Sequence, residues 1–302
     1  MKWAFRILIA TSTVLVVGLA ILLVPPHLQT RGISPPLPTD DELQALLTVE
    51  DGPTQIHIVR SSQQPRPEFN LGHSAVVIEW PDGKLFVIDA AMDREATLEF
   101  ARTIALVSPP KGPVQFHGTI ADRLGEAAPQ ISGLGFTHLH IDHVQGIHDL
   151  CRVRGAGASV YRTRLQAQEH NLHTREGAAL VEESCFERIT LNGEGLLPVE
   201  GFPGLGVVAL AGHTPGSTLF AVAVDGKLWL MSGDISNQKS MLLSNTGKGF
   251  FYSGLVVPEN TQRTEELRLW LARLDSRPDM EVIVSHDFAA ALASGLEDFN
   301  PR

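Results

Sequence analysis

The stretch Thr137-His138-Leu139-His140-Ile141-Asp142-His143 places four side chains that can bind a metal within six positions. In an extended segment side chains alternate between faces, so His138 and His140 point the same way. A turn that begins near Ile141 brings Asp142 and His143 towards them. Imidazole nitrogen and carboxylate oxygen without thiolate suit zinc, and also iron, manganese or cobalt. The stretch therefore predicts a metal site at the end of a strand.

Three further ligand-type residues each follow an apolar segment that has the pattern of a strand. They are His213 after residues 207–211, Asp234 after residues 227–231 and His286 after residues 282–284. Loops at strand ends are where functional residues concentrate. A single histidine in such a place is more often a hydrogen-bonded structural residue than a ligand. Together with the His-rich stretch, the three positions favour one shared metal site.

Strand and helix patterns alternate on both sides of the His-rich stretch. Two antiparallel hairpins are predicted at 74–89 and 218–231, each turning through an Asp-Gly pair. Amphipathic helices are predicted at 94–106 and 259–274, and a polar helix at 163–173. Antiparallel hairpins with interspersed helices predict an α+β layered sandwich with the sheets inside and the helices outside.

The amino-terminal segment predicts export from the cytoplasm. Lys2 and Arg6 precede eighteen uncharged residues, 7–24, which are just enough to span a bilayer and are long for a signal-peptide core. Pro25 and Pro26 are expected to end this helix. No small-x-small cleavage site follows, so an uncleaved signal anchor is favoured over a cleaved signal peptide. A buried helix is the third alternative.

These features divide the chain into three predicted parts. Residues 1–26 form a signal anchor or signal peptide, residues 27–45 a Pro-rich tether, and residues 46–302 one globular domain. Either form of the leader places the domain on the periplasmic side of the inner membrane. The domain is anchored there by the helix, or secreted if the leader is cleaved.

Charge and cysteine content restrict the partners and the compartment. The formal net charge is −10 and there is no run rich in Lys or Arg, which argues against a nucleic-acid partner. The two cysteines, Cys151 and Cys185, can pair in an oxidising compartment if the fold brings their Cα atoms within about 7 Å. The sequence leaves open whether they do.

Four motifs together resemble the metallo-β-lactamase superfamily of metallohydrolases over about residues 55–290. They occur in the family order: Thr-His-x-His-x-Asp-His at 137–143, Gly-His-Thr-Pro-Gly at 212–216, Ser-Gly-Asp at 232–234 and Ser-His-Asp at 285–287. The resemblance implies that residues 46–302 are a hydrolase domain with the four-layer αββα sandwich of this family, preceded here by the N-terminal hydrophobic helix. It also implies that the metals lie at one edge of the paired sheets.

The same resemblance implies a dinuclear centre, with zinc as the expected metal and iron or manganese as alternatives. The implied donors are His138, His140 and His213 for the first ion, Asp142, His143 and His286 for the second, and Asp234 as the bridge between the two. A hydroxide that bridges the metals would be the nucleophile. Asp142 is the expected catalytic residue, which orients the hydroxide and moves its proton to the leaving group.

The bridging Asp234 narrows the expected substrate. In this family a bridging Asp is typical of lactonases, glyoxalase II and phosphodiesterases, whereas true β-lactamases usually carry Cys or Ser there. Glyoxalase II adds a helical C-terminal domain, and here sixteen residues follow His286. The expectation is a zinc-dependent hydrolase of a small lactone or carboxylic ester. The sequence departs from the lactonases of this family in one feature. Some of them have a substrate-orienting Tyr a few residues after the bridging Asp, but residues 235–240 contain no Tyr, and Tyr252 lies well downstream.

Other activities stay open beside lactone or ester hydrolysis. Hydrolysis of β-lactams, thioesters or phosphodiesters is known within the same fold. An alternative of a different class is a non-hydrolytic metal-binding member, such as a redox protein that uses iron. The expected partners are a small-molecule substrate and the inner membrane, and the sequence does not specify an oligomeric state.

Overall fold

The computed structural model of the protein describes residues 2–67 and 69–299, and in these ranges thirteen strands form two sheets. The strands of the first sheet are β1 (Gln55–Pro65), β2 (Asn70–Glu79), β3 (Leu85–Ile88), β4 (Gln115–Phe116), β5 (Ile131–Gly135), β6 (Ser159–Thr163), β7 (Glu187–Leu191) and β13 (Glu297–Asp298). Their order is β13-β1-β2-β3-β5-β6-β7, and β4 pairs with β1.

The second sheet has five strands, which follow seven of the eight strands of the first sheet in the sequence. Its members are β8 (Leu196–Pro198), β9 (Leu205–Ala209), β10 (Thr218–Val224), β11 (Lys227–Met231) and β12 (Met280–Ile283). Their order is β12-β11-β10-β9-β8. The two predicted hairpins, β2 with β3 and β10 with β11, are both antiparallel pairs.

Helices pack around the paired sheets, and one further helix precedes them at the amino-terminal end. They are α1 (Lys2–Thr30), α2 (Asp40–Ala45), α3 (Arg94–Ala105), α4 (Ile120–Leu124), α5 (Ile141–Val144), α6 (Ile147–Arg154), α7 (Arg164–Gln168), α8 (Arg175–Glu183), α9 (Lys239–Leu243), α10 (Thr261–Asp275) and α11 (Phe288–Ala293). The predicted helices at 94–106 and 259–274 correspond to α3 and α10. The predicted polar helix at 163–173 is shorter in the structure and is limited to α7.

Three apolar clusters define four layers. The central cluster joins the facing sides of the sheets, with Ile78 and Phe86 from the first sheet and Phe220 from the second. Another cluster packs the outer side of the first sheet against α4, α6 and α8. The third packs the second sheet against α10, through residues such as Leu267 and Leu271. Because each sheet buries one face on its partner and the other under helices, the chain is an αββα sandwich, which confirms the predicted fold class.

Strand direction brings the candidate ligands to one edge of the sandwich. β3 and β5 are parallel to each other, as are β11 and β12. β9 and β11 both run antiparallel to β10, so they share a direction. The carboxyl ends of these strands therefore meet at a common edge, where the loops after β5, β9, β11 and β12 carry the candidate ligands.

The helix α1 continues past Pro25 and Pro26, so the prediction that these residues end it was wrong. Proline lacks the N–H that an intrahelical hydrogen bond needs, and two such bonds are lost here. The following turn is held by contacts with the domain instead. His27 Nε2 donates to the carbonyl oxygen of Gly254 at 2.9 Å, and Asn260 Nδ2 donates to that of Thr30 at 3.4 Å.

The Pro-rich segment after α1 is extended up to α2 and is bonded to the domain. The carbonyl oxygen of Pro35 accepts a hydrogen bond of 2.7 Å from Arg263 Nη2 of α10. Leu37 packs against the outer cluster of the second sheet, and Thr39 caps α2. The division into leader, tether and domain stays a prediction, but residues 35–39 lie on the surface of the domain.

Cys151 and Cys185 form a disulfide, which answers the question that the sequence left open. Their Cα atoms lie 5.8 Å apart and the bond closes a loop with a sequence separation of 34. The bond ties α6 to the residues that enter β7. A structural disulfide is typical of an oxidising compartment and agrees with the predicted export.

Reduction of this disulfide is expected to destabilise the domain by about 2–4 kcal/mol, because the closed loop limits the entropy of the unfolded chain. The measurement is thermal unfolding of the full chain with and without a thiol reductant. A Cys151→Ser/Cys185→Ser variant serves as the control, and its melting temperature should be low and insensitive to the reductant. Equal melting temperatures for the oxidised and reduced wild type would contradict a stabilising role.

Candidate metal centre

The three histidines of the first predicted donor set converge at the common edge. His138 and His140 follow β5, and His213 lies in the loop after β9. His138 Nε2 lies 3.0 Å and His213 Nε2 3.3 Å from His140 Nδ1. Three imidazole nitrogens that face one another at this spacing form a group that could hold a metal ion.

The second predicted set lies beside the first. Asp142 and His143 lie within α5, and His286 follows β12. Asp142 Oδ2 lies 3.6 Å from His143 Nε2 and 3.7 Å from His286 Nε2. All three side chains are buried. The structure thus brings together the carboxylate and the two imidazoles that the resemblance implied, from opposite sheets.

Asp234 lies between the two sets. Its Oδ2 is 2.9 Å from His286 Nε2 and 3.8 Å from His213 Nε2, and its Oδ1 is 3.6 Å from His143 Nε2. The loop reaches this place because Gly233 packs directly on Thr137, where an added Cβ would meet the Thr137 Cβ at 2.7 Å. Gly233 also has a φ of 61°. Glycine therefore permits both the turn and the close approach of the two sheets.

Asp89, at the end of β3, holds the His-rich stretch in place. Its Oδ1 accepts from the backbone N–H of Thr137 at 2.8 Å, and its Oδ2 accepts from His143 Nδ1 at 2.8 Å. The second bond leaves the Nε2 of His143 to face the centre. Carboxylates that fix a metal-binding imidazole in this manner are common in metal sites. Asp89 is buried and adopts a φ of 64°, in the left-handed region.

Glu259 fixes the ring of His213 in the way that Asp89 fixes the ring of His143. Glu259 also belongs to a buried polar cluster. Its Oε1 accepts from His213 Nδ1 at 2.7 Å and lies 3.0 Å from Lys248 Nζ, while its Oε2 accepts from the Ser253 hydroxyl at 2.9 Å. Burial acts to raise the pKa of Glu259, but the charge of Lys248 and the bond from His213 lower it to about 2. Glu259 is therefore a carboxylate that keeps His213 Nε2 directed at the centre.

His73, on β2, is a further member of the cluster that the sequence did not single out. Its Nδ1 lies 3.6 Å from Asp142 Oδ2, and its ring makes an edge contact with His286 at 5.3 Å between centroids. A further group of residues has its potential ligand atoms close enough together to hold a metal ion. Its members are His73, Asp142 and His286. The sequence signal was weak, because a single His within an otherwise apolar strand is usually structural.

Tyr252 also approaches the centre, although its sequence position seemed too distant. It starts the short π-helical segment Tyr252–Val256, and its ring centroid lies 5.3 Å from Lys248 Nζ. Burial and the negative charges of Asp234, Glu259 and Asp142 hold the pKa of Tyr252 well above its usual range. A neutral phenol is therefore placed near the groups of the site, although it comes from a segment downstream of residues 235–240.

Burial and charge favour cation binding here. Burial and the neighbouring imidazoles of His143 and His140 hold the pKa of His138 well below its usual range, so it is neutral, the form that binds metal. Burial acts to lower the pKa of His143, but three carboxylates, chiefly Asp89, raise it to about 10. The carboxylate side of the cluster thus stabilises added positive charge.

Unpartnered buried atoms point to the same chemistry. His143 Nε2, Asp234 Oδ1 and His73 Nδ1 are buried and form no hydrogen bond with the described residues. Buried polar atoms without a partner are rare in proteins and call for a bound group. Because these atoms are imidazole nitrogens and a carboxylate oxygen around one centre, they fit divalent metal ions.

The profile of the metallo-beta-lactamase superfamily matches residues 70–286. The chain therefore belongs to the metallo-beta-lactamase superfamily of metallohydrolases, which confirms the resemblance drawn from the four motifs. A search of curated proteins finds no significant match.

Solved structures with the same fold include lactone hydrolases. One is an N-acyl homoserine lactone hydrolase with the product N-hexanoyl-L-homoserine at its catalytic metal center (TM-score 0.59, 14% identity, covering 81% of this chain and 98% of that chain). Another is a mutant of AiiA from B. thuringiensis with N-decanoyl-L-homoserine bound at its active site (TM-score 0.58, 14% identity, 81% and 98% covered). A third is a probable metal-dependent hydrolase from Staphylococcus aureus (TM-score 0.55, 15% identity, 78% and 90% covered). At these identities the likeness concerns the fold.

Proposed function

We propose that the protein is a dinuclear metal-dependent hydrolase that opens a small lactone or cleaves a carboxylic ester. The observation that carries the proposal is the position of Asp234, whose carboxylate lies within 4 Å of imidazole nitrogens from both donor sets. A carboxylate in this position can bind two cations at once. A site for a single metal ion would not need a carboxylate there. Superfamily membership and the lactone hydrolases of the same fold support the choice of substrate class.

In this proposal the donors keep the roles that the resemblance implied. The first ion would be held by His138, His140 and His213, the second by Asp142, His143 and His286, and Asp234 would contact both. Zinc is the proposed metal because the donors are imidazole and carboxylate without thiolate. With zinc held by these residues, the site would have an activated water at neutral pH and would polarise the carbonyl oxygen of the substrate.

Asp142 would move the proton. Its Oδ2 is surrounded by the imidazoles of His73, His143 and His286, at 3.6–3.7 Å. Its Oδ1 forms no hydrogen bond to the described residues. That oxygen is free to accept a proton from the attacking water and to pass it to the ring or ester oxygen that leaves. Tyr252, a neutral phenol beside Lys248, would supply a hydrogen-bond donor to the substrate.

We also propose that α1 anchors the domain on the periplasmic side of the inner membrane. This helix is long and apolar enough to cross a bilayer, and none of its apolar span is buried against the domain. The disulfide Cys151–Cys185 supports an oxidising compartment. Protease protection of the full chain in spheroplasts tests the proposal, because an exported domain should be digested when only the outer membrane is opened.

The test of the hydrolase is metal content by elemental analysis of the purified full chain, with parallel assays on an acyl homoserine lactone, an aryl ester and a β-lactam. The expected result is close to two zinc ions per chain with turnover of the lactone or the ester. Iron in place of zinc, or a full metal complement with no turnover of any substrate, would instead favour redox chemistry or another scissile bond.

Glu259→Gln is expected to weaken zinc binding by about 10–100-fold, because the amide orients His213 less firmly and leaves Lys248 without its counter-charge. The measurement is competition for zinc with a chromogenic chelator. Glu265→Gln is the matched control, since Glu265 lies on the exposed side of the helix that follows. Equal zinc affinity for both variants would remove Glu259 from the support of the centre.

A further inference from the structure

A large cavity lies where α1 meets the domain. It has a volume of about 910 Å³ and is lined by His27 and Arg31 from the α1 side and by Lys248, Phe250 and residues of α10 from the domain side. We call it the junction cavity. None of the seven predicted metal donors lines it. The cavity is therefore separate from the predicted donors themselves, although Lys248 and Glu259, which contact His213, form part of its lining.

The junction cavity carries a surplus of positive charge. Lys248 and Glu259 compensate each other, at 3.0 Å and with both side chains 2% exposed. Two further cations, Arg31 and Arg268, line the same cavity. Arg31 is exposed and has no ion pair with the described residues. The cavity is thus built to accept an anion.

Arg268 is the more informative of the two arginines, because it is only 6% exposed. Its Nε donates to Asn245 Oδ1 at 3.0 Å, whereas its two terminal nitrogens have no hydrogen-bond partner among the described residues. Burial lowers the pKa of Arg268, although the charges of Glu259 and Glu265 act to raise it. A buried guanidinium whose bidentate end is unused is suited to a phosphate or carboxylate.

The length of α1 places the cavity at the depth of lipid headgroups. The uncharged stretch 7–24 spans about 27 Å at about 1.5 Å per residue, close to the ~30 Å hydrocarbon core of a bilayer. His27 lies three residues beyond this stretch, about 4.5 Å further along the axis. The headgroup layer on each side is about 5–7 Å thick. His27 and the cavity beside it therefore fall within that layer when α1 spans the membrane.

Exposed apolar side chains flank the cavity on the domain. Phe250 is 85% exposed, Phe251 55% and Leu255 42%. They are held next to the end of α1, because the carbonyl oxygen of Gly254 accepts the bond from His27. Exposed neighbouring apolar residues mark interaction surfaces, and Phe and Leu are among the side chains that interfacial segments insert at the boundary of headgroups and acyl chains. The rim of the cavity is thus suited to contact with the glycerol and upper acyl region of a lipid.

We propose that the junction cavity binds the phosphate headgroup of an anionic membrane phospholipid. Arg268 and Arg31 pair with the phosphate, and Phe250 and Phe251 contact the chains of the same lipid. The domain is thereby fixed against the membrane surface on the side of α1. The proposal rests on the membrane anchoring by α1 and is independent of the reaction at the metal centre.

The test is native mass spectrometry of the full chain in a neutral detergent, titrated with phosphatidylglycerol or with phosphatidylcholine of the same chain length. We expect phosphatidylglycerol to bind at least tenfold more tightly. Arg31→Gln and Arg268→Gln should each reduce that preference about fivefold, the effect of one cation near an anionic headgroup. Because Arg31 is exposed, its substitution carries no risk to folding and keeps the test decisive if Arg268→Gln does not fold.

Two controls distinguish binding of the lipid from binding of other anions and from a general effect of the positive charge on the protein surface. Arg102→Gln removes an exposed cation of α3 and should leave the preference unchanged. Inorganic phosphate at the concentration of the lipid should not displace it, because phosphate lacks the contacts with Phe250 and Phe251. Equal binding of both lipids, an equal loss in the Arg102 variant, or displacement by phosphate would each overturn the proposal.

A second measurement tests the placement of the rim in the membrane. The disulfide leaves no free cysteine, so a fluorophore on Phe250→Cys is the single label of the full chain in nanodiscs. Quenching by lipids that carry a spin label near the headgroup is expected. Leu106→Cys, at a residue that is likewise 85% exposed, should be quenched at least threefold less. Equal quenching at both positions would contradict the proposed orientation.

Discussion

Asp234→Ala should reduce bound zinc from about two ions per chain to one or fewer and lower lactone or ester turnover on the order of 1000-fold. Asp234 is the donor that lies nearest to both sets, and its loss also leaves His286 Nε2 without its partner at 2.9 Å. Loss of metal activation of water and carbonyl is worth several kcal/mol, and each 1.36 kcal/mol is a factor of about ten in rate. Elemental analysis and steady-state kinetics on the same preparation measure both effects.

Folding must be separated from metal binding in this experiment, since Asp234 is buried. Asp234→Asn keeps the size of the side chain and should show the same loss of zinc with little loss of thermal stability in the metal-free state. Asp41→Ala removes an exposed carboxylate of α2 and should change neither quantity. Full zinc occupancy in Asp234→Ala would mean that the carboxylate does not bridge two ions.

Asp142→Asn should lower the turnover number by about 10²–10⁴ while most of the zinc is retained. The amide oxygen can still face His143 and His286, but the side chain can no longer accept a proton at Oδ1. Loss of one positioned general acid–base group has an effect of this size. This pattern differs from that of Asp234→Ala, because the rate falls with the metal still bound.

The measurement is single-turnover kinetics at saturating substrate, together with zinc analysis. Asp82→Asn, in the exposed turn between β2 and β3, is the control and should behave as the wild type. If Asp142→Asn instead lost its zinc in proportion to its activity, Asp142 would be only a ligand and the proton would move by another route. Unchanged turnover would exclude both roles.

The sequence was sufficient for the fold and for the convergence of the donors because both depend on local patterns. Each donor follows an apolar strand, which favours one shared site, and the resemblance to the superfamily assigned the donors to two ions at one edge of the sheets. The shorter elements were not predictable in the same way. β7 alternates poorly between buried and exposed positions, and β8 has only three residues. Residues 169–173 leave the helical pattern because the side chain of Asn171 accepts from the N–H groups of His173 and Thr174.

The residues that support the donors depend on tertiary contacts and were largely hidden in the sequence. His73 reaches Asp142 across 69 positions of the chain, and its own strand gives no sign of it. Lys248 lies in an irregular Gly-containing segment, where a solvent-exposed lysine is the usual interpretation. The helix end predicted at Pro25-Pro26 was also wrong, since α1 continues to Thr30, and the bonds from its last turn to Gly254 and Asn260 are tertiary contacts that the local sequence does not show.

Three residues around the base of the metal centre, Asp89, Ala91 and Ala211, adopt left-handed φ values of 64°, 52° and 58°. Such a conformation costs a non-glycine residue on the order of 1–3 kcal/mol and persists only where the surrounding packing enforces it. These bends place the Asp89 carboxylate on Thr137 and His143 and lead into the loop that carries His213. The edge of the sandwich that carries the donors is therefore held in a strained backbone conformation by the packing around it.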